Sequence, residues 1–237
     1  MCGRYALAGP APGEWSEQRL RTRFTGLGES VELRQRFNVA PTDHVACVTA
    51  TRDGEPRGEL LRWGLVPHWA KDPAMGAKMI NARSETVAEK PAFRDAFARR
   101  RCLIVADGFY EWERRGRASK HPFHITRADA APFAFAGLWA TWHGPGDQVL
   151  RTCSIVTAPA NAAIGALHDR MPVILPPDAE ADWLDAGTPE ALLRELFAGL
   201  PADQTALREV SRKVNDARHD APDCLDGPEP EAEPTLF

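Results

Sequence analysis

No stretch of this chain is apolar for long enough to cross a bilayer, since the run of about 18 apolar residues that a spanning helix needs is absent. The start also lacks the basic-then-apolar pattern of a secretion leader, so the expected location is the cytoplasm. Cysteine is sparse. The five residues (Cys2, Cys47, Cys102, Cys153 and Cys224) are odd in number, widely spread and without a C-x-x-C pair. That pattern argues against a disulfide framework and against a zinc site, and leaves free thiols in a reducing compartment as the simplest account. No dinucleotide-binding or P-loop fingerprint is present, and Gly26 with Gly28 is too little to make one, so neither cofactor nor metal is expected. Internal repeats are also missing.

Lysine is scarce too: five of the 29 basic residues are Lys and 24 are Arg. Genome composition can produce such a bias, so no Arg is read as a phosphate contact on identity alone. The net charge of −4 is unevenly spread. Residues 216–237 hold seven acidic residues and one Arg, which leaves 28 basic and 26 acidic side chains in residues 1–215. A mildly basic body permits nucleic-acid binding without requiring it.

The 237 residues, 43% of them hydrophobic, suffice for one large domain. Trp15, Leu20 and Phe24 predict an amphipathic helix within 14–24, and Phe93 with Phe97 predicts another. HVACVTA and the segment near Glu59 to Trp63, joined through Asp53-Gly54, predict a hairpin. CLIVA predicts a buried strand that turns at Gly108 into a second strand, with Tyr110 and Trp112 on one side and Glu111 on the other. HPFHITR, FAFAGLWATW and VLRTCSIVT are further strand candidates. NAAIGAL reads as a short helix stopped near Pro172, followed by helices at 178–186 and 189–199, the last with Thr188 as its cap. The expected fold class is α+β, a single domain over 2–220 with a largely antiparallel sheet or barrel core and peripheral helices. From Ala221 to Phe237 the acidic, Pro-rich sequence predicts a disordered tail.

The chain begins Met1-Cys2-Gly3-Arg4-Tyr5. With Met1 trimmed, Cys2 carries an α-amine beside its thiol. That amine, with a reference pKa of about 7.7–8.0, is roughly a tenth neutral at pH 7. Amine and thiol together can add to one aldehyde carbon, first as a Schiff base and then as a closed thiazolidine ring. Three stretches offer partners. Asn81 and Arg83 share a face if NAR is extended, one dipolar and the other able to grip a phosphate oxygen, though surface hydrogen bonding is the plainer use. Glu111 sits between two aromatics, where its charged form is disfavoured, a property suited to proton transfer; a solvent-facing Glu is the alternative. His168, beside Asp169 and Arg170, is a natural proton shuttle or a simple helix cap. In WGLVPHWAKD two Trp bracket a Pro-containing loop, available for stacking on a base or for packing beneath the loop. His121 and His124, three apart on a strand, share no ligand role.

MCGRY, FNVAPT, WGLVPHWA, MINARSET, RRCLIVADGFYEW, FAGLW, SIVTAPAN, LHDRMPVIL and VSRKVN occur in one order across residues 2–215. In this the chain resembles the SRAP family (SOS-response-associated peptidase, the abasic-site processing proteins). Val105 departs from the family, many of whose members have Pro there, and only a local backbone effect is expected. The resemblance implies a monomeric protein that binds single-stranded DNA carrying an abasic site and links itself covalently to it, associating with the nucleoid when bound. Cys2 maps onto the crosslinking nucleophile, Asn81 and Glu111 onto sugar-facing polar residues, and His168 onto the acid/base residue. Arg4, Arg83, Arg170 and Thr157 map onto phosphate contacts, and Pro41 and Trp69 onto an apolar wedge against flanking bases. The family is also labelled a peptidase and credited with a β-lyase-like activity. N-terminal-nucleophile amidotransferases that hydrolyse glutamine also begin Met-Cys-Gly, but they usually carry an Asn-Gly element, and this chain has none. A noncatalytic DNA-binding module, in which Cys2 is dispensable, is the third reading.

Overall fold

In the computed structural model, residues 2–9, 14–115 and 119–229 are described, with no account of the side chains at 114, 115 and 119. The strands are β1 (Tyr5–Leu7), β2 (Arg36–Val39), β3 (His44–Ala50), β4 (Pro56–Trp63), β5 (Asn81–Arg83), β6 (Arg101–Ala106), β7 (Gly108–Arg115), β8 (Ser119–Arg127), β9 (Phe133–His143), β10 (Val149–Pro159), β11 (Arg170–Pro172), β12 (Ile174–Leu175) and β13 (Thr205–Glu209). Short helices α1 (Glu17–Arg23), α2 (Arg94–Arg99), α3 (Glu180–Leu184) and α4 (Glu190–Glu195) lie between them. The fold is mixed α+β, as its sequence implies.

The pairings β4–β3, β3–β6, β6–β9, β9–β10 and β10–β4 return to their starting strand, so these five strands close into a barrel, the last pair parallel. Every residue of β6 is buried, because both faces of that strand are covered. Cys102, Ile104 and Ala106 belong to the interior cluster, while Leu103 and Val105 join an outer cluster with Leu20, Phe97, Trp183 and Leu193 from the four helices. Burial on both faces explains why CLIVA reads as a continuous apolar run rather than an alternating one. The expected hairpin is β3–β4, paired from Ala50↔Pro56 to His44↔Arg62.

A second sheet, in the order β13-β8-β7-β1-β2, takes over where β6 ends. Asp107 carries the chain across, and its amide donates to Ala6 O at 3.0 Å. Glycine is needed at 108, since a Cβ there would lie 2.0 Å from His124 Nε2. The inner face of this sheet (Tyr5, Phe109, Ile125) is continuous with the barrel interior, and its outer face (Ala6, Ala8, Tyr110) is covered by Val210, Val214 and Cys224. Tyr5 packs edge-on against Trp63 at 5.3 Å and Phe135 at 5.6 Å, geometries worth about 1 kcal/mol each beyond the area they bury.

Three expectations need correction. Residues 161–167 form hydrogen-bonded turns, not a helix: Asn161 Oδ1 accepts from Ala163 N and Ile164 N at 3.0 Å each, and the side chain so replaces helix continuation. Pro189, not Thr188, stands at the cap of α4, and the Thr188 hydroxyl instead donates to Asp182 O at 2.7 Å. The tail does not leave the body at Ala221. Residues Pro222–Leu225 make a 3-10 turn with Cys224 fully buried, and Glu229 accepts from Ser211 Oγ at 2.5 Å. Residues 230–237 of the expected tail lie outside the described residues. Among the described residues no helix is long and apolar enough to cross a membrane.

Candidate active site

Cys2 is fully buried where β1 is about to join the second sheet, and its thiol donates to Arg4 O at 3.7 Å. The β1–β7 register, Tyr5↔Phe109 and Ala6↔Gly108, continues to place Gly3 opposite Glu111. Residues on the inner face of this pair look toward the barrel, which is why Glu111, alternating with Tyr110 and Trp112, is buried at 3% exposure instead of facing solvent. Burial raises its carboxyl from 4.5 to about 7, and the nearby Asp169 charge pushes the same way. The Cys2 thiol is pushed far above its ordinary value by burial first and by the Glu111 charge second, so sulfur waits there as a thiol.

Asn81 arrives from another part of the fold. It opens β5, which runs parallel to β10 in the register Asn81↔Ile155. Its Nδ2 donates to Cys2 O at 2.7 Å, and its buried Oδ1 has no hydrogen-bond partner among the described residues. An unpaired buried carbonyl costs about 1–3 kcal/mol, so this atom is an acceptor held ready at the Cys2 backbone.

His168 comes from the turn-built connection between β10 and β11, closed by Ala160 N donating to Asp169 O at 2.9 Å. Two contacts at its Nδ1 compete. Arg170 N donates to it at 3.0 Å, and Asp169 Oδ1 lies 2.8 Å away, where it can bond only to a protonated nitrogen. The backbone amide is a fixed donor, whereas the Asp169 side chain is 87% exposed and free to turn, so the amide decides. Burial lowers the His168 pKa, which favours the neutral ring, and a neutral ring whose Nδ1 accepts from Arg170 N carries its proton on Nε2.

The expected phosphate contacts separate into two groups. Arg83 is exposed, and its register partner in β10 is Thr157. The hydroxyl of Thr157 accepts from Arg170 Nε at 3.3 Å, and its carbonyl accepts from Arg170 Nη2 at 2.6 Å. Glu85 grips the same guanidinium at 2.8 and 2.9 Å. Arg83, Thr157 and Arg170 thus form one patch beside His168. Arg4 points elsewhere: its Nη1 donates to Asn38 Oδ1 and to Val214 O, both at 2.9 Å, on the outer side of the second sheet.

Trp69 is 47% exposed, whereas Trp63 is wholly buried, so the two tryptophans of the loop divide between stacking surface and core. Gly64 permits the turn between them with φ of 126°, since a Cβ there would meet Gly76 O at 2.6 Å. Pro41 is half-buried and precedes Thr42, whose φ of 79° is a rare, strained conformation for a β-branched residue, held by its amide donating to Trp63 O at 2.8 Å. Two cavities, of about 460 and 570 Å³, are lined by none of Cys2, Asn81, Glu111 or His168.

Sequence reasoning did not single out Asn38 or Glu85. Asn38 is fully buried and donates through Nδ2 to the carbonyls of Val214, Asp216 and His219 at 3.2, 2.9 and 2.7 Å. Its place in FNVAPT offered no signal of that role. Glu85, in MINARSET, is close enough in sequence to Arg83 to suggest an ion pair there, but the fold gives it to Arg170 instead.

A thiol, an acceptor amide and a carboxyl raised toward neutrality stand together at the start of the chain, an arrangement able to support nucleophilic chemistry with proton transfer. A family model for SOS response associated peptidase (SRAP) matches residues 1–217. The chain belongs to the SRAP family. It is 40% identical over 228 residues to the abasic site processing protein YoqW of Bacillus subtilis, covering 95% of this chain and 99% of that one. With YedK of Escherichia coli, likewise named an abasic site processing protein, it is 32% identical over 235 residues, covering 95% and 99%. Among solved structures, a protein from Bacteroides thetaiotaomicron superposes with TM-score 0.80 at 23% identity, over 95% of this chain and 99% of the other, a likeness of fold. A Bordetella bronchiseptica protein matches at TM-score 0.73 and 28% identity, over 89% and 100%.

Proposed function

We propose that this protein processes abasic sites in single-stranded DNA by linking itself to the ring-opened deoxyribose through Cys2, once Met1 has been removed. The observation that carries the reading is the convergence on Cys2 of Asn81, bonded to its carbonyl at 2.7 Å, and Glu111, whose carboxyl is raised to about 7. The names of the relatives support the substrate.

The chemistry needs few parts. The abasic sugar rests mainly as a cyclic hemiacetal, and a carboxyl near pKa 7 can donate and accept protons as the ring opens to the aldehyde. His168 offers Nε2–H as a hydrogen-bond donor to a sugar oxygen. The neutral α-amine adds to the aldehyde carbon, and Glu111 supplies the proton with which the hydroxyl leaves as water. The Cys2 thiol then adds to the resulting iminium carbon and gives its proton to the Glu111 carboxylate, closing the thiazolidine and restoring the acid. The balance is one aldehyde, one amine and one thiol in, one ring and one water out. Ring closure removes the iminium through which β-elimination would cut the strand. Arg83 and Arg170 would hold phosphates, Thr157, fully buried behind them, would hold the Arg170 guanidinium in place, and Trp69 and Pro41 would meet flanking bases. Such contacts read backbone and stacking, so sequence preference is not expected.

The experiment is a denaturing gel with single-stranded DNA carrying one abasic site, paired with intact mass measurement. The expected result is a covalent adduct with protein lacking Met1, absent with Cys2→Ala. Undiminished crosslinking by protein retaining Met1, or glutaminase activity without any adduct, would overturn the reading.

A further inference from the structure

From four residues past Val210–Asn215, the last stretch expected from sequence to be structured, the chain brings together three unlike metal-ligating side chains. His219, Asp223 and Cys224 place one donor atom each within 4.8 Å of one another. The local backbone sets this up. His219 N donates to Asp216 O at 3.1 Å and Cys224 N donates to Ala221 O at 3.0 Å, folding the segment back on itself around the 3-10 turn at Pro222–Leu225. We propose that these three side chains form a zinc site with an open fourth position, beyond the stretch matched by the family model and separate from the site at Cys2.

The donor set carries the choice of ion. Thiolate and imidazole with a single carboxylate suit Zn²⁺ and disfavour Mg²⁺ and Ca²⁺, which take oxygen. The groups are already oriented. His219 Nε2 lies 2.6 Å from Asp223 Oδ1, and Asp223 Oδ2 accepts from Lys213 Nζ at 2.8 Å, leaving that ammonium as an outer partner of a ligating carboxylate. Tetrahedral Zn²⁺, with bonds of about 2.0–2.3 Å, needs ligand atoms roughly 3.3–3.8 Å apart. Binding therefore requires the 2.6 Å His219–Asp223 contact to open by about 1 Å and donor pairs as far as 4.8 Å apart to close by about 1 Å, within reach of two side chains that are about one-third exposed. The Cys224 thiol, fully buried and donating to His219 O at 3.5 Å, releases its proton on binding. The missing C-x-x-C spoke only to sites built from paired cysteines; H-x₃-D-C is a different pattern.

The site would act as a clasp. Asn38 donates to His219 O, and Asp220 Oδ1 accepts from Phe37 N at 2.6 Å and Asn38 N at 2.9 Å, so an ion at His219 would fix the segment that closes the outer face of the second sheet.

The test uses the full-length, untagged, reduced and chelator-stripped protein titrated with Co²⁺ as a spectroscopic stand-in for Zn²⁺. The expected result is a thiolate-to-cobalt charge-transfer band that saturates at one equivalent and is abolished by one equivalent of Zn²⁺ but not of Mg²⁺. The band should persist in Cys2→Ser, vanish in Cys224→Ser, and require at least about 10-fold more Co²⁺ in His219→Ala. Should Cys224→Ser fail to fold, His219→Ala, whose side chain is 37% exposed, carries the comparison. Absence of the band in wild type, its survival in Cys224→Ser, an unchanged titration in His219→Ala, or its loss in Cys2→Ser would each overturn the proposal, the last by assigning the ion to the amino terminus. Neither the Co²⁺ band nor its loss depends on DNA, so failure here is distinguishable from failure of the crosslinking reading.

Discussion

The two faces of the second sheet are built to opposite rules. On the outer face, polar groups meet partners: Asn38 donates to three carbonyls and accepts from Arg4, Asp220 caps two amides, and the Tyr110 hydroxyl donates to Phe37 O at 2.6 Å. Toward the inner face, buried polar groups are perturbed: Asn81 Oδ1, brought there by β5, has no hydrogen-bond partner among the described residues, the Glu111 carboxyl is raised to about 7, and the Cys2 thiol is held protonated. The same β1–β7 pair serves both. Satisfied groups add stability and are chemically inert, whereas strained ones cost stability and are ready to react.

Substitutions on the two faces should therefore fail differently. Cys2→Ala has the largest expected effect, complete loss of the DNA adduct on a denaturing gel. The melting temperature should hardly change, since one sulfur is removed from a contact of 3.7 Å. Asn38→Ala is the opposite case. It removes the Asn38 hydrogen bonds from three carbonyls that each keep one other donor (Arg4 Nη1, His219 N and Cys224 Sγ) and leaves Arg4 Nη1 with Val214 O alone, with an expected loss of roughly 3 kcal/mol. That is about 10 °C in melting temperature for a domain of this size, measured by thermal unfolding. Crosslinking by the fraction still folded should persist. Were Asn38→Ala to abolish crosslinking at temperatures where it remains folded, the division between the faces would be wrong.

The sequence made one half of this division legible and hid the other. The buried run CLIVA, the β3–β4 hairpin and the alternation of Tyr110, Glu111 and Trp112 could be read from spacing, because strand periodicity is a local signal. Glu111 nevertheless reads equally well as solvent-facing, and only the barrel across from it makes it buried. Asn38 was unreadable, since its partners lie more than 170 residues away in the chain. The acidic tail misled for a related reason: its composition predicts disorder, yet Cys224 packs with Ala6 and Tyr110 and Glu229 accepts from Ser211, long-range contacts that composition does not record. Arg4, placed by family likeness among phosphate contacts, is instead committed through Nη1 to the outer network.

A pH series sharpens the comparison on the inner face. Crosslinking needs the α-amine neutral and Glu111 protonated. Its rate should rise as the amine deprotonates, with a reference pKa of about 7.7–8.0, and fall as Glu111 ionises near 7, giving a maximum close to neutrality. Glu111→Gln should slow the reaction by about 10²-fold and remove the alkaline fall. The sign for stability follows from the same shift. A carboxyl raised from 4.5 to about 7 binds protons more tightly when folded, so its contribution is full below pH 4.5 and is lost as pH rises toward and through 7. Asp107, raised by burial to about 6, adds a loss in the window from 3.8 to 6. The melting temperature should fall between pH 5 and 8, and Glu111→Gln should flatten that fall above pH 6. An unchanged slope would remove Glu111 from the account.

The smallest expected effects are at the phosphate patch, where the contrast recurs in miniature. Arg83 is exposed, while Arg170 is held by Glu85 and Thr157. For a free cation that neutralises one phosphate, the logarithm of affinity against the logarithm of salt should lose about 0.7 from its slope in Arg83→Ala on single-stranded DNA. Arg170 must first share its charge with Glu85, so Arg170→Ala should change that slope by less. Glu85→Gln should steepen it, because releasing the guanidinium makes it available to the backbone. Fluorescence anisotropy with Cys2→Ala protein, which cannot form the adduct, reads binding alone. Equal slopes in Arg83→Ala and wild type would take Arg83 off the phosphate path, and a larger loss in Arg170→Ala than in Arg83→Ala would mean that DNA displaces Glu85 on binding.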